Sequence, residues 1–233
     1  MNKEEFVLEC NKLGVIVTEE IYNKLFLYKN LLIEWNKKFN LTTIIEEKDI
    51  FLKHFYDSLC IVKAVDINNK KILDFGTGAG FPGMVLAIVY SKSNITLLES
   101  NGKKVSFLEE VKKKLELDNV TIICNRAEIY GKNNREIYDI VTCRAVSNLN
   151  IILELSSSML KINGLFIPLK SNVDEELENS KKNFEKLSYD YINKIEYKLP
   201  IEESNRTILV FKKVCKTKDI YPRNYNIIKK SSN

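Results

Sequence analysis

Between Glu19 and Asn40, in "EEIYNKLFLYKNLLIEWNKKFN", apolar side chains recur at Ile21, Leu25, Tyr28, Leu32 and Trp35, spaced three and four residues apart. That period lines one face of an α-helix, and Thr18 just before it offers an N-cap oxygen. A second helical stretch runs from Glu46 to about Leu59 through "LKHFYDSL", so the first part of the chain reads as helices. From Lys70 the pattern changes. The short β-branched runs "KKILDF", "NITLLES", "VTIIC", "IYDIVTC" and "GLFIPLK" alternate with longer amphipathic stretches that begin near Pro82, Gly102, Asn148 and Val173. Strand–helix–strand repetition of this kind implies right-handed crossovers and a parallel sheet covered on both faces. "YDYINKIEYKLP" and "RTILVFKKV", separated by "IEESN", read instead as an antiparallel hairpin closing one edge of that sheet.

The stretch "ILDFGTGAGFPGMVLA", Ile72 to Ala87, places four of the chain's 8 glycines directly after the first predicted strand. In an open parallel sheet, ligands bind beyond the carboxyl ends of the strands, and the loop after the first strand is the usual place. Gly78, Gly80 and Gly83 satisfy the GxGxxG spacing of a dinucleotide site, which leaves an NAD-dependent oxidoreductase as one reading. Two acids argue for another cofactor. Asp74 precedes the turn, where its charge would repel a pyrophosphate, and Glu99 ends the second strand 23 residues after Gly76, where an acid hydrogen-bonds ribose hydroxyls. Together they suit S-adenosylmethionine, a nucleoside carrying a sulfonium and an amino acid in place of a diphosphate. Ala127 and Glu128 follow the third strand, in position to flank an adenine, and Arg144 stands at the tip of the fourth.

Composition changes this picture little. Hydrophobic residues make up 45% and charged residues 29%, ordinary for a globular chain, and no apolar run approaches the roughly 20 residues that span a bilayer. The segment from Met1 to Leu13 is too acidic and too poor in apolar residues for a secretory signal, so a cytoplasmic location is expected. The 5 cysteines include no CxxC pair and have a single histidine to assist them, so neither a disulfide framework nor a metal site is expected. The net charge of +5 is unevenly placed: from Arg206 to Asn233 eight basic residues face one acid, Asp219. A basic segment carrying Tyr221 and Tyr225 suits a polyanion such as RNA, and serves equally as a solubilising tail.

"DFGTGAGFPGMVLA", "LLES", "GKKVSFLEEV", "NRAE" and "YDIVTCRAVSNL", with "WNKKFNLT" and "HFYDSL" upstream, resemble the RsmG (GidB) family of S-adenosylmethionine-dependent enzymes that methylate a guanine N7 in small-subunit (16S) ribosomal RNA. The resemblance runs from about Leu31 to Arg223. It implies an α/β, Rossmann-like class I methyltransferase fold: a mostly parallel seven-stranded sheet with helices on both faces, plus an N-terminal helical subdomain. The corresponding division is 1–58 helical, 59–215 catalytic core and 216–233 basic tail. It also implies cofactor contacts at Gly76, Phe81, Ala127, Glu128 and Arg144, with Glu99 and Ser100 on the acid–serine pair of the second strand; Asp74 and Gly78 join them from the loop. Arg144 is expected to orient cofactor or RNA. Lys170, Arg206, Arg223 and His54 are candidate RNA contacts, while Asn40 falls on another family motif near the crevice. The expected partner is small-subunit ribosomal RNA, free or within an assembled or assembling subunit. The chain departs from the family at Lys170-Ser171, where Lys-Gly is common, and after "YPR", where Gly-x-Pro usually follows. A non-enzymatic ribosome-assembly factor is the alternative that keeps the fold and RNA without the chemistry.

Overall fold

The computed structural model describes residues 1–231. Helix α1 (Lys3–Lys12) starts at Asn2, whose side chain and Glu5 cap each other's backbone. Helix α2 (Glu19–Phe39) runs as its apolar period predicts: Thr18 Oγ1 accepts from the Ile21 N–H at 3.2 Å, and Asn40 ends the helix in the left-handed region at φ 47°. The second helical stretch is present but wound unevenly. It begins as α3 (Glu47–Asp49), widens into a π-helix over Ile50–Tyr56, resumes as α4 (Asp57–Leu59) and tightens to a 3₁₀ turn at Cys60–Lys63. Such a bulge re-aims side chains that a regular helix would spread round its surface.

Seven strands follow: β1 (Lys71–Phe75), β2 (Asn94–Glu99), β3 (Val120–Cys124), β4 (Tyr138–Arg144), β5 (Leu160–Lys170), β6 (Tyr189–Lys198) and β7 (Asn205–Lys213), in the spatial order β3-β2-β1-β4-β5-β7-β6. The first five are parallel, and β7 pairs antiparallel with both β5 and β6, so the hairpin closes one edge as expected, with β6 outermost. The crossovers carry α5 (Gly83–Val89), α6 (Gly102–Lys114), α7 (Ala127–Asn133) and α8 (Leu149–Ser157), α9 (Asp174–Phe184) leads into the hairpin, and α10 (Tyr225–Ser231) follows β7. The apolar pattern predicts no helix between β3 and β4, since the seven residues of α7 are too few to show a period.

Register sets the site. Phe75 pairs with Leu98, Glu99 with Cys124, and Arg144 with Leu169, so the carboxyl ends of the central strands line up. The chain order reverses where β1 meets β4, and the crevice opens at that switch point. Alternate residues of β1 feed two cores: Ile72 joins a cluster with Phe6, Leu25 and Met84, whereas Leu73 and Phe75 join Leu153, Phe166 and Ile228 on the opposite face. The expected divisions after 58 and 215 therefore fall within continuous cores. The N-terminal helices and the sheet bury one apolar cluster together, and α10 is sealed into the other through Ile228.

Tyr28 makes the tightest of these joins. Fully buried on α2, it donates its hydroxyl to the Ala79 carbonyl of the glycine loop and packs its ring 5.4 Å from Phe55 and 5.6 Å from Phe81. Tyr28→Phe keeps the ring contacts but strands a buried carbonyl, and should lower the unfolding free energy in urea by about 1–3 kcal/mol.

Candidate active site

The loop after β1 is folded tightly against its neighbours. At Gly76, φ is +65°, and a β-carbon would come within 2.7 Å of Val146 Cγ2 on the loop after β4. A side chain at Gly83 would collide with Leu97 and with Asp74 itself, at 2.3 and 2.8 Å. Both glycines mark close approach of backbone to another segment.

Two carboxylates pin this loop from below. Asp74 Oδ2 accepts from Thr77 Oγ1 at 2.5 Å and from the Gly83 N–H at 2.8 Å. Glu99 accepts from the Gly78 N–H at 2.9 Å through Oε2 and from the Asn101 N–H at 2.8 Å through Oε1. The N–H groups of Gly78 and Gly83, which a pyrophosphate would need, thus already bond carboxylates, so the literal GxGxxG match does not form a phosphate cradle. Asp74, a candidate cofactor contact by its position before the turn, has its bonds within the fold. It is fully buried, Oδ1 has no partner among the described residues, and burial pushes its pKa up to about 7. The charge-repulsion argument made from its sequence position therefore gives way to a structural one: Asp74 ties strand end, turn and helix start together.

Arg144 reaches across from β4 to the π-helical segment. Its Nη1 donates to the Lys53 carbonyl and to Asp57 Oδ2, both at 3.0 Å, and its Nη2 lies 3.2 Å from His54 Nδ1. The guanidinium carbon sits 5.2 Å over the Phe81 ring, and His54 stacks on the same ring at 4.3 Å with planes 12° apart. Asp57 is shared further: Tyr197 donates its hydroxyl to Oδ1 at 2.8 Å and Arg206 Nε lies 3.5 Å from the same oxygen. Since Arg144 can only donate, His54 Nδ1 is the acceptor and its Nε2–H donates to Thr42 Oγ1 at 3.0 Å. Burial and the neighbouring Arg144 push the His54 pKa down to about 3. The ring is neutral with both nitrogens engaged, so the candidate RNA contact His54 serves here as a support for Arg144.

Two cavities meet here, with Val146 in the wall of both. The smaller, about 180 Å³, is bounded by Gly76, Ser100, Ala127 and Glu128 from three successive strand ends. The larger, about 660 Å³, is bounded by His54, Asp57, Arg144, Lys170 and Arg206. Asp74, Gly78, Phe81 and Glu99 line neither, and act by shaping the loop or supporting Arg144. The smaller cavity suits the adenosyl half of S-adenosylmethionine. Leu98 and Leu155 give it apolar sides, Glu128 and Asn125 supply polar groups for a purine and ribose, and the Gly76 backbone approach would be lost to any β-carbon. Lys170 faces the larger cavity but is already paired, with Glu176 at 2.6 Å and the Ser147 carbonyl at 3.1 Å. Arg223 lines neither cavity: its Nη2 pairs with Glu154 at 2.6 Å beneath α8. Asn40 serves as the C-cap of α2. Among the described residues, no three His, Cys, Asp or Glu side chains are grouped to hold a metal ion, and no helix is long and apolar enough to cross a membrane.

Sequence reasoning passed over Asp57, Tyr197 and Val146. Asp57 lies within the quoted "HFYDSL", but its partners are 87 and 140 positions away, a separation no local pattern reveals. The enclosed state of His54 has a measurable consequence. A histidine neutral in the fold and titrating near 6.5 when unfolded contributes stability that is present above that pH and lost below it. The stability difference between wild type and His54→Gln, from urea unfolding, should therefore move against the wild type by about 1 kcal/mol between pH 7.5 and 5.5. A constant difference would mean that the ring charges freely.

Comparison with known proteins agrees with this geometry. The sequence pattern of the GidB family, described as rRNA small subunit methyltransferase G, matches residues 21–206. Proteins named Ribosomal RNA small subunit methyltransferase G are 42% identical in Bacillus subtilis (96% of this chain, 95% of that one) and 44% identical in Mycoplasma capricolum (93% of each). Among solved structures, M. jannaschii TYW2 in complex with AdoMet aligns at a TM-score of 0.55 and 17% identity over 74% of this chain and 80% of that one. A SAM dependent methyltransferase from Aquifex aeolicus aligns at 0.55 and 16% over 74% and 97%; at such identities the likeness bears on the fold alone. With the family pattern covering strands β1 to β6 and the crevice residues from His54 to Arg206, and relatives matched nearly end to end, the chain belongs to the rRNA small subunit methyltransferase G (GidB) family.

Proposed function

We propose that this protein transfers the methyl group of S-adenosylmethionine to N7 of a guanine in 16S (small-subunit) ribosomal RNA, working in the cytoplasm on RNA free or within an assembled or assembling subunit. That it is an S-adenosylmethionine-dependent ribosomal RNA methyltransferase follows from its family membership. The observation that carries the finer reading is Arg144, held rigidly at the wall of a cavity wide enough for a base and adjoining one suited to a nucleoside.

S-Adenosylmethionine, when bound, supplies an electrophilic methyl group on a sulfonium sulfur. Guanine N7 offers an in-plane lone pair and bears no proton, so the protein has only to orient the reactants and exclude water. The side chains of this crevice fit that requirement, since His54 has both ring nitrogens committed and Arg144 is fixed by three partners. Gly76, Ser100, Ala127 and Glu128 are read as the cofactor's nucleoside contacts, with Glu99, Asp74, Gly78 and Phe81 holding them in place. Arg206 and Lys170 at the larger cavity are read as the groups beside the RNA. N7 lies on the major-groove edge, which A-form RNA hides, so the target guanine belongs to a loop, a bulge or an incompletely assembled region.

The decisive measurement is transfer of labelled methyl to small-subunit RNA and mapping of the modified atom. N7-methylguanine is expected; a methyl on another atom overturns the regiochemistry, and no incorporation into naked RNA or into subunits would favour an RNA-binding assembly factor. Arg144→Ala should abolish transfer. Arg144→Lys, whose point charge cannot span Asp57 and His54 together, should lower kcat/KM at least about tenfold. RNA affinity should fall with salt at a log–log slope of about −0.7 to −0.9 per phosphate engaged, and a flat response would remove the electrostatic part.

A further inference from the structure

From charge alone, the segment after β7 suits an RNA contact and a solubilising tail equally. The structure gives it another neighbour. Tyr225, the first residue of α10, forms part of the wall of the smaller cavity, together with the strand-end residues Gly76, Ala127 and Glu128. It lies beyond residues 21–206, where the family pattern stops, and in the stretch where this chain lacks the family's usual Gly-x-Pro. We infer that Tyr225 is a cofactor-binding residue, closing the adenine end of the S-adenosylmethionine site with its ring.

Three features support this, and the inference rests on the methyltransferase reading above. First, the ring is held in place. Arg223 grips Glu154 with Nε and Nη2 at 2.9 and 2.6 Å, Arg135 Nη1 donates to the Tyr221 carbonyl at 2.7 Å, and Lys132 donates to Asn224 Oδ1 at 3.1 Å. Ile228, one turn on, is buried in the core under α8. Second, the ring is coupled to the cavity's acid. The Arg126 guanidinium lies 5.1 Å over the Tyr225 ring, and its Nε bonds Glu128 Oε1 at 2.6 Å, so ring, cation and carboxylate form a continuous rim. Third, the chemistry matches. The other apolar walls are aliphatic Leu98, Ala127, Val146 and Leu155 and the buried core residue Phe75, so Tyr225 is the aromatic side chain there that keeps part of its surface free, and a purine gains from such a neighbour.

The test uses the full-length protein and direct calorimetry with S-adenosylmethionine and with S-adenosylhomocysteine, which share the adenosyl group. Tyr225→Ala should weaken both by about tenfold, near the low end of what base–aromatic contact supplies, while Tyr225→Phe should stay within about twofold of wild type. The melting temperature of the ligand-free variants reports whether the tail still packs. Should Tyr225→Ala melt early, Tyr225→Leu, which keeps an apolar contact with the core, carries the test with the same expected weakening. Wild-type affinity for both ligands in a folded variant overturns the inference, as does weaker RNA binding with cofactor affinity intact; either result leaves the methyltransferase reading standing. Failure of the wild type itself to bind S-adenosylmethionine overturns both.

Discussion

A carboxylate taken out of water must be compensated where it lies, and Asp57 meets that demand from three directions. It is 4% exposed, on the helical segment before the sheet, and its partners are Arg144 on β4 and Tyr197 and Arg206 on the hairpin. Those contacts fasten the N-terminal helices, the central sheet and the edge hairpin at the mouth of the crevice. The π-helical turn makes this possible: it brings the Lys53 carbonyl, His54 and Asp57 together against one guanidinium. Arg144 is consequently rigid before any ligand arrives, the condition under which an oriented donor costs no reorganisation during reaction.

The acids of the glycine loop obey the same rule with backbone donors in place of cations. Glu99 and Asp74 each accept from main-chain N–H groups, and those bonds fix the loop's path before it meets a nucleoside. Glu99 spends one oxygen on each of two N–H groups, Gly78 and Asn101, and so ties the loop to the start of α6. Asp74 does not reach solvent, and its raised pKa reflects burial ahead of the hydrogen bonds that oppose it. Two acids that look alike in sequence thus differ in their partners: Asp74 joins the strand end to the turn and the start of α5, and Glu99 joins the turn to the start of α6.

The strands and most helices were legible because each is long enough to show its period, and the glycine loop because its residue types are restrictive. The cofactor class was read from Asp74 before the turn and Glu99 on the next strand together, and of these the Asp74 charge argument does not hold in the fold. What escaped was the seven-residue α7, too short to show a period, and what is non-local: the partners of Asp57, the Val146 contact with Gly76 and the burial of His54. Histidine next to a motif invites a chemical role, but only packing reveals that its ring lies flat on Phe81 with both nitrogens used.

Charge counting misled in a related way. Of the eight basic residues from Arg206 onward, Arg206 is bound to Asp57, Lys213 is fully buried against Glu136 and the Leu160 carbonyl, and Arg223 is paired with Glu154. Each of those acids comes from an earlier part of the chain, so the local excess overstates the field the segment projects, and paired cations hold the fold more than they attract phosphates. The same pairings draw the chain from β7 back across α8 until Tyr225 meets the nucleoside cavity. A segment whose composition suited an RNA contact and a solubilising tail equally is, by the arrangement of its arginines, drawn inward toward the smaller cavity.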